Sequence, residues 1–235
     1  MNDPDAAPGG PVTPGLRERL AVVRGRIIEA AASAGRDPGE ITTIVVTKFH
    51  PVSLIEELAE LGVRDMGENR HQEAQAKAAA LDSLGLTWHF VGQVQGKKAR
   101  QVRTYAQVIH SVDRPSLVDA LQSGESTVDC FVQVNLTDDP ARGGVRPREL
   151  DALVERVLAT EGLRLLGVMA VAPVGAEPRR AFARVRELGE QARLAAPGAK
   201  YLSMGMSQDF PDAISEGATH LRIGTAITGN RPVLG

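Results

Sequence analysis

The sequence predicts a closed (β/α)8 TIM barrel preceded by one extra helix. Eight short strand-like runs alternate with helix-like segments along the chain. No Gly-rich loop follows the first strand, as an open doubly wound sheet would require. The unusual polar residues fall after strands, and those with phosphate chemistry follow the last two, where such a barrel binds phosphate.

Residues 1–13 are rich in Pro, Gly and Asp and carry too few apolar side chains to offset the entropy of ordering, so a disordered leader is expected before a barrel domain at 14–235. From Pro14 onward Leu16, Leu20, Val23, Ile27 and Ala31 recur at helical spacing until Gly35 and Pro38, which gives the extra helix. The β-branched run Ile41 to Thr47 is the first strand, and it stops at Lys48 before Phe49-His50-Pro51. Further strands are expected near 63–66, 87–91, 107–111, 128–135, 163–170, 199–203 and 219–223. Helices are expected near 52–61, 70–82, 97–104, 115–123, 147–160, 178–195 and 208–216, the first with a plain apolar stripe of Leu54, Ile55, Leu58 and Leu61. In the last strand Leu221 and Ile223 alternate with His220, Arg222 and Gly224, so helix-facing apolar residues would leave Arg222 on the inner face.

Lys and Arg number 27 against 29 Asp and Glu, and a formal net charge of -2 gives no reason to expect nucleic acid or an anionic membrane as partner. No apolar run approaches the ~20 residues that span a bilayer. The single cysteine, Cys130, lies in the apolar run Val128 to Val134 and reads as a packed core thiol in a reducing, cytoplasmic setting. His50, His71, His89, His110 and His220 show no HExxH or other short ligand spacing, so no metal site is expected. Lys97, Lys98, Arg100 and Arg103, and the mixed charges from Glu177 to Arg193, read as solvated helix faces.

Read in order, the strand ends bring Lys48, Gly67-Glu68-Asn69, Gly92-Gln93, Ser111, Asn135, Met169-Ala170, Ser203-Met204-Gly205 and Arg222-Ile223-Gly224 to one barrel mouth. Ser207 reads as the N-cap of the helix holding Ala213 and Ile214, and with Ser203, Gly205, Gly224 and Thr225 it offers hydroxyls and helix-start amides to a phosphate. A lysine held on a rigid element and desolvated at a strand end is suited to nucleophilic chemistry. An amine facing a phosphate site suggests pyridoxal 5'-phosphate.

From about Leu16 to Arg231 the chain resembles the pyridoxal phosphate homeostasis proteins, whose fold is similar to the N-terminal barrel of alanine racemase. The segments that carry the resemblance are Val45-Val46-Thr47-Lys48, Gly67-Glu68-Asn69, Trp88-His89-Phe90-Val91-Gly92, Gly167-Val168-Met169-Ala170, Ser203-Met204-Gly205-Met206-Ser207 and Arg222-Ile223-Gly224-Thr225-Ala226-Ile227. The resemblance implies that Lys48 holds the cofactor as an internal aldimine, that Asn69 lies near its ring, that Arg222 lies by the pyridine nitrogen, and that Ser203 to Ser207 with Gly224 and Thr225 take the phosphate. It implies a non-catalytic carrier and buffer that delivers the cofactor to apo-enzymes. The family's Leu-Gln-x-Asn-Lys pattern appears as Val94-Gln95-Gly96-Lys97-Lys98, and its lysine before Ser-Gly in the fifth loop is replaced by Arg142-Gly143-Gly144.

Two other classes compete. An amino-acid racemase would need a second domain and a tyrosine base, whereas the chain ends about ten residues past its last strand and has only Tyr105, expected in a helix, and Tyr201, in a strand. A Schiff-base aldolase would need an acid/base pair beside the lysine, and only Glu68 stands out. Without a second domain to share a site, a monomer is expected.

Overall fold

A computed structural model describes residues 15–231; the segment 1–13 lies outside them. In chain order the elements are α1 Leu16–Ser33, β1 Thr42–Val46, α2 Val52–Glu60, β2 Asp65–Glu68, α3 His71–Ala80, β3 Thr87–Phe90, α4 Ala99–Arg103, β4 Val108–Val112, α5 Pro115–Leu121 and β5 Val128–Val134. They continue with α6 Leu150–Leu158, β6 Leu163–Ala170, α7 Pro178–Ala195, β7 Tyr201–Ser203, α8 Phe210–Ser215, β8 His220–Ile223 and α9 Thr225–Thr228. All strand pairs are parallel, and β8 closes on β1 with Thr42 opposite His220 and Val45 opposite Ile223, so the sheet is a closed eight-stranded barrel.

The expected strands are all present. β1 is one residue shorter at its C-terminal end than the β-branched run suggested: it stops at Val46, and Lys48 sits in the turn beyond it. α1 buries its expected stripe, Leu16, Leu20, Val23, Ile27 and Ala31, against α8 and α9. Arg19 fixes this packing by donating from Nε to the Ile227 carbonyl at 2.7 Å, and Arg36 does the same for α8 by donating to the Ala218 carbonyl at 2.7 Å. Tyr105 lies in the turn after α4 and not in the helix expected there, because that helix ends at Arg103.

Strand alternation sorts the core into two layers. Outward residues such as Cys130, Val132, Leu221 and Ile223 join the large cluster between sheet and helices. Burial pushes the Cys130 thiol up to about 12, which leaves it protonated and inert. Inside the barrel the apolar cluster is small, formed by Val108, Phe131 and Met169. Ile44 and Val46 of β1 are also buried on this face, but much of the rest of it is polar, with His89, His110, Gln133, Ser203 and Arg222 all buried. Such a composition is unusual for a barrel interior, which branched apolar layers ordinarily fill.

Among the described residues no helix is long and apolar enough to cross a membrane. Arg103 departs from the expected solvated face: its guanidinium donates to the carbonyls of Leu121, Gly162 and Ser126 and ties α4 to the bottom of the barrel.

Candidate functional site

A cavity of about 510 Å³ opens at the C-terminal end of the strands, within the size range of small-molecule sites. It brings together Lys48, Asn69, Met169, Ser207, Arg222, Gly224 and Thr225. Ser203, Met204 and Gly205 do not line it. Met204 is fully buried, and Gly205 spends its carbonyl on the Arg222 amide at 3.0 Å. The Ser203 hydroxyl faces inward between Arg222 Nη1 at 2.7 Å and His110 Nδ1 at 2.8 Å, so it is a tie within the barrel and not a wall of the cavity.

Lys48 is half-buried at the mouth and makes no hydrogen bond or ion pair among the described residues. The turn that carries it is held from below. Lys77, buried on the inner side of α3, donates from Nζ to the Thr47 carbonyl at 2.8 Å, to Glu68 Oε1 at 2.7 Å and to Glu73 Oε1 at 2.6 Å. Glu73 Oε1 in turn accepts the Phe49 amide at 2.5 Å. The peptide groups on both sides of Lys48 are therefore anchored to one buried cluster. Burial raises the Glu68 carboxyl's pKa, against the hydrogen bonds from Lys77 and Thr47. Phe49, directly after the lysine, adopts φ 68, a strained conformation for an aromatic residue. The guanidinium groups of Arg70, at 4.7 Å, and Arg231, at 3.9 Å, both lie over its ring. None of these supports was visible in the sequence, because an inward lysine in the Ala-rich α3 has no pattern of its own.

Arg222 is 5% exposed and donates from Nη2 to the Ala170 carbonyl at 3.0 Å besides its bond to Ser203. Burial lowers its pKa to about 10, while Asp209 across the cavity opposes the shift, so the guanidinium stays charged at neutral pH.

Besides the withdrawal of Ser203 and Gly205 from the cavity, the phosphate end differs from expectation at the cap of α8. α8 starts at Phe210 with Asp209 at the cap position, and Asp209 Oδ1 accepts the Met206 amide at 2.6 Å. Ser207 is therefore not that helix's N-cap. It reaches instead to α9, where its Oγ accepts the Ala226 amide at 3.3 Å and joins the two loops that follow β7 and β8. Gly224 and Thr225 open α9, whose first amides have no helical partner.

Sequence reasoning missed Gln133, Gln208 and Asp209 as cavity residues. The fifth loop also brings Arg142 to the cavity. Gly143 follows at φ 69 and lies against Gln93, where any side chain would collide with that amide. A Gly-Gly pair after a strand was the available signal for this close approach.

The charged residues lining the cavity are thus Lys48, Arg142 and Arg222 against a single acid, Asp209. An excess of positive charge, one lysine without a partner and paired βα loops after the seventh and eighth strands define the barrel class that the alanine racemase N-terminal domain family represents. That family matches residues 38–232. The chain belongs to it, and within it to the pyridoxal phosphate homeostasis proteins. It is 42% identical to the pyridoxal phosphate homeostasis protein of Pseudomonas aeruginosa, over 92% of this chain and 96% of that one. It is 36% identical to that of Escherichia coli, over 92% and 97% respectively. Among solved structures, PipY of Synechococcus elongatus with PLP bound is 36% identical, with a TM-score of 0.80 over 92% of this chain and 100% of PipY. Alanine racemase from Corynebacterium glutamicum, at 16% identity and a TM-score of 0.69, shares the fold alone.

Proposed function

We propose that this chain binds pyridoxal 5'-phosphate at the barrel mouth and acts as its carrier and buffer in the cytoplasm, without substantial catalysis. The observation that carries the reading is the mouth itself. Lys48 has no partner, cationic side chains outnumber acids three to one, and the buried Asn69 Oδ1 lacks any hydrogen-bond donor. Those features fit a phosphorylated ligand with polar ring substituents. When bound, the cofactor supplies an electrophilic aldehyde and, where its ring nitrogen is protonated, an electron sink.

Lys48 would hold the aldehyde carbon, with its turn fixed by Lys77 and Glu73. Ser207, Gly224 and Thr225 would take the phosphate, Met169 and Asn69 would flank the ring, and Arg222 would meet the ring nitrogen. A charged guanidinium there only donates, so the nitrogen accepts and stays unprotonated. This disfavours carbanion chemistry. Neither tyrosine lines the cavity, which leaves no phenolic base on the opposite face. Apo-enzymes that need the cofactor are the recipients this reading names, and a monomer suffices for it.

Charge-assisted hydrogen bonds contribute roughly 1.5–3 kcal/mol, so Ser207→Ala and Thr225→Val should each weaken pyridoxal phosphate tenfold or more in equilibrium titration. Unphosphorylated pyridoxal should change far less. Equal losses for both ligands would assign these residues to the fold alone.

The non-catalytic part is tested by incubating loaded protein with each enantiomer of alanine in deuterated water. The expected result is at most stoichiometric exchange of the α-hydrogen. Sustained turnover per Lys48 would make the racemase reading the better one.

A further inference from the structure

Side chains from five strands form one unbroken hydrogen-bonded line through the barrel. Asp65 Oδ1, at the start of β2, lies 2.9 Å from His89 Nε2. His89 Nδ1 lies 2.9 Å from His110 Nε2, and His110 Nδ1 lies 2.8 Å from Ser203 Oγ. Arg222 Nη1 completes the line at 2.7 Å from the same oxygen. His89, His110, Ser203 and Arg222 are buried, and only the Asp65 side chain, 33% exposed, reaches water.

The two ends decide the direction of every proton. A guanidinium has donors and no acceptor, and a carboxylate has acceptors and no donor. With both rings neutral, His89 must donate from Nε2 to Asp65, which leaves its Nδ1 bare. His110 must then donate from Nε2 to that nitrogen, which leaves its own Nδ1 bare, and the Ser203 hydroxyl must donate to it. Ser203 consequently offers Arg222 lone pairs only. The opposite direction needs a second proton on a buried ring, either on His89, where it would donate to Asp65 and His110 together, or on His110. At His110 burial, His89, Arg222 and His220 hold the pKa well below its ordinary value.

We propose that Asp65, His89, His110 and Ser203 are positioning residues for Arg222, a one-way line that presents a pure acceptor to the guanidinium and so fixes it as a charged donor toward the ring nitrogen. The ring-nitrogen part rests on the cofactor reading above; the direction of the line does not. Neither Lys48 nor the proposed phosphate donors Ser207, Gly224 and Thr225 is hydrogen-bonded to the histidine pair in the barrel floor. A charge buried at the mouth does require an acceptor whose own hydrogen is committed elsewhere.

The test is ¹⁵N NMR of the histidine rings in the full chain without ligand. Both His89 and His110 should carry the proton on Nε2. In Asp65→Leu, His110 should become a mixture of tautomers although it does not touch Asp65. In Asp65→Asn, whose amide oxygen still accepts, it should stay on Nε2. An Nδ1 proton on His110 in the unmutated chain, or a His110 unchanged in Asp65→Leu, overturns the one-way line.

Ser203→Ala supplies a second variant at the other end, read with two ligands, pyridoxal phosphate and its 1-deaza analogue, in which carbon replaces the ring nitrogen. The preference for the parent compound should fall about tenfold, the size of a lost hydrogen bond to a charged group. An unchanged preference overturns the positioning role. Failure of the unmutated chain to bind pyridoxal phosphate overturns the cofactor reading and the ring-nitrogen role with it, while the tautomers decide the line by themselves.

Discussion

Replacing Lys48 with alanine should abolish the borohydride-reducible attachment of pyridoxal phosphate and leave the barrel standing. Lys48 is the only lysine lining the mouth cavity. Lys77, the nearest alternative along the chain, spends its ammonium on three oxygens beneath the turn, and neither Lys97 nor Lys98 lines the cavity. Its loss should change unfolding free energy by no more than about 0.5 kcal/mol, as for other side chains outside the core. Peptide mapping by mass spectrometry after reduction checks the result. An adduct that moves to Lys77, Lys97 or Lys98 would show that the mouth does not select this amine. Weak binding through the phosphate donors should survive.

The second large effect belongs to a residue that would never touch the cofactor. Lys77→Met leaves Glu68, 1% exposed, without its charged partner, frees the Thr47 carbonyl before Lys48, and removes the ammonium that holds Glu73 against the Phe49 amide after it. Removing one partner of a buried pair costs about 3–5 kcal/mol, which denaturant titration should register directly. Rapid-mixing absorbance should also show slower attachment at Lys48, since the anchored turn would now sample other conformations. The double variant Glu68→Leu with Lys77→Met should recover much of the stability, because an apolar pair replaces an orphaned charge. It should not recover the attachment rate. Recovery of both would mean that the cluster serves the core and not the turn.

The architecture was legible because each signal was local. The run Thr42 to Val46 has strand propensity in every residue, and the alternation of Leu221 and Ile223 with His220 and Arg222 declares which face is inside. The place of Lys48 at the mouth was legible for the same reason, as the polar residue that ends such a run.

What escaped was long-range or very short. The cap of α8 was misplaced because Ser207, Gln208 and Asp209 precede it in a row, and only the fold shows that Asp209 holds the cap position before Phe210-Pro211. α9 has four residues, too few for any periodicity. Ser203 was assigned to the phosphate because its neighbours suggested a loop, yet its partners are His110, 93 residues away, and Arg222, 19 away. No window along the sequence spans such contacts.

The polar interior has a consequence for how this sequence can diverge. A barrel filled with branched aliphatic layers tolerates exchange of one methyl-bearing residue for another, since volume is all that must be kept. Asp65, His89, His110, Ser203 and Arg222 are linked by complementary donors and acceptors, so any single replacement by an apolar residue strands the groups on either side of it. These positions should therefore drift as a set or remain fixed as a set, and relatives that lack the aspartate should lack the histidine pair as well. In an alignment of relatives the line would surface as correlated change among positions that lie far apart in the chain.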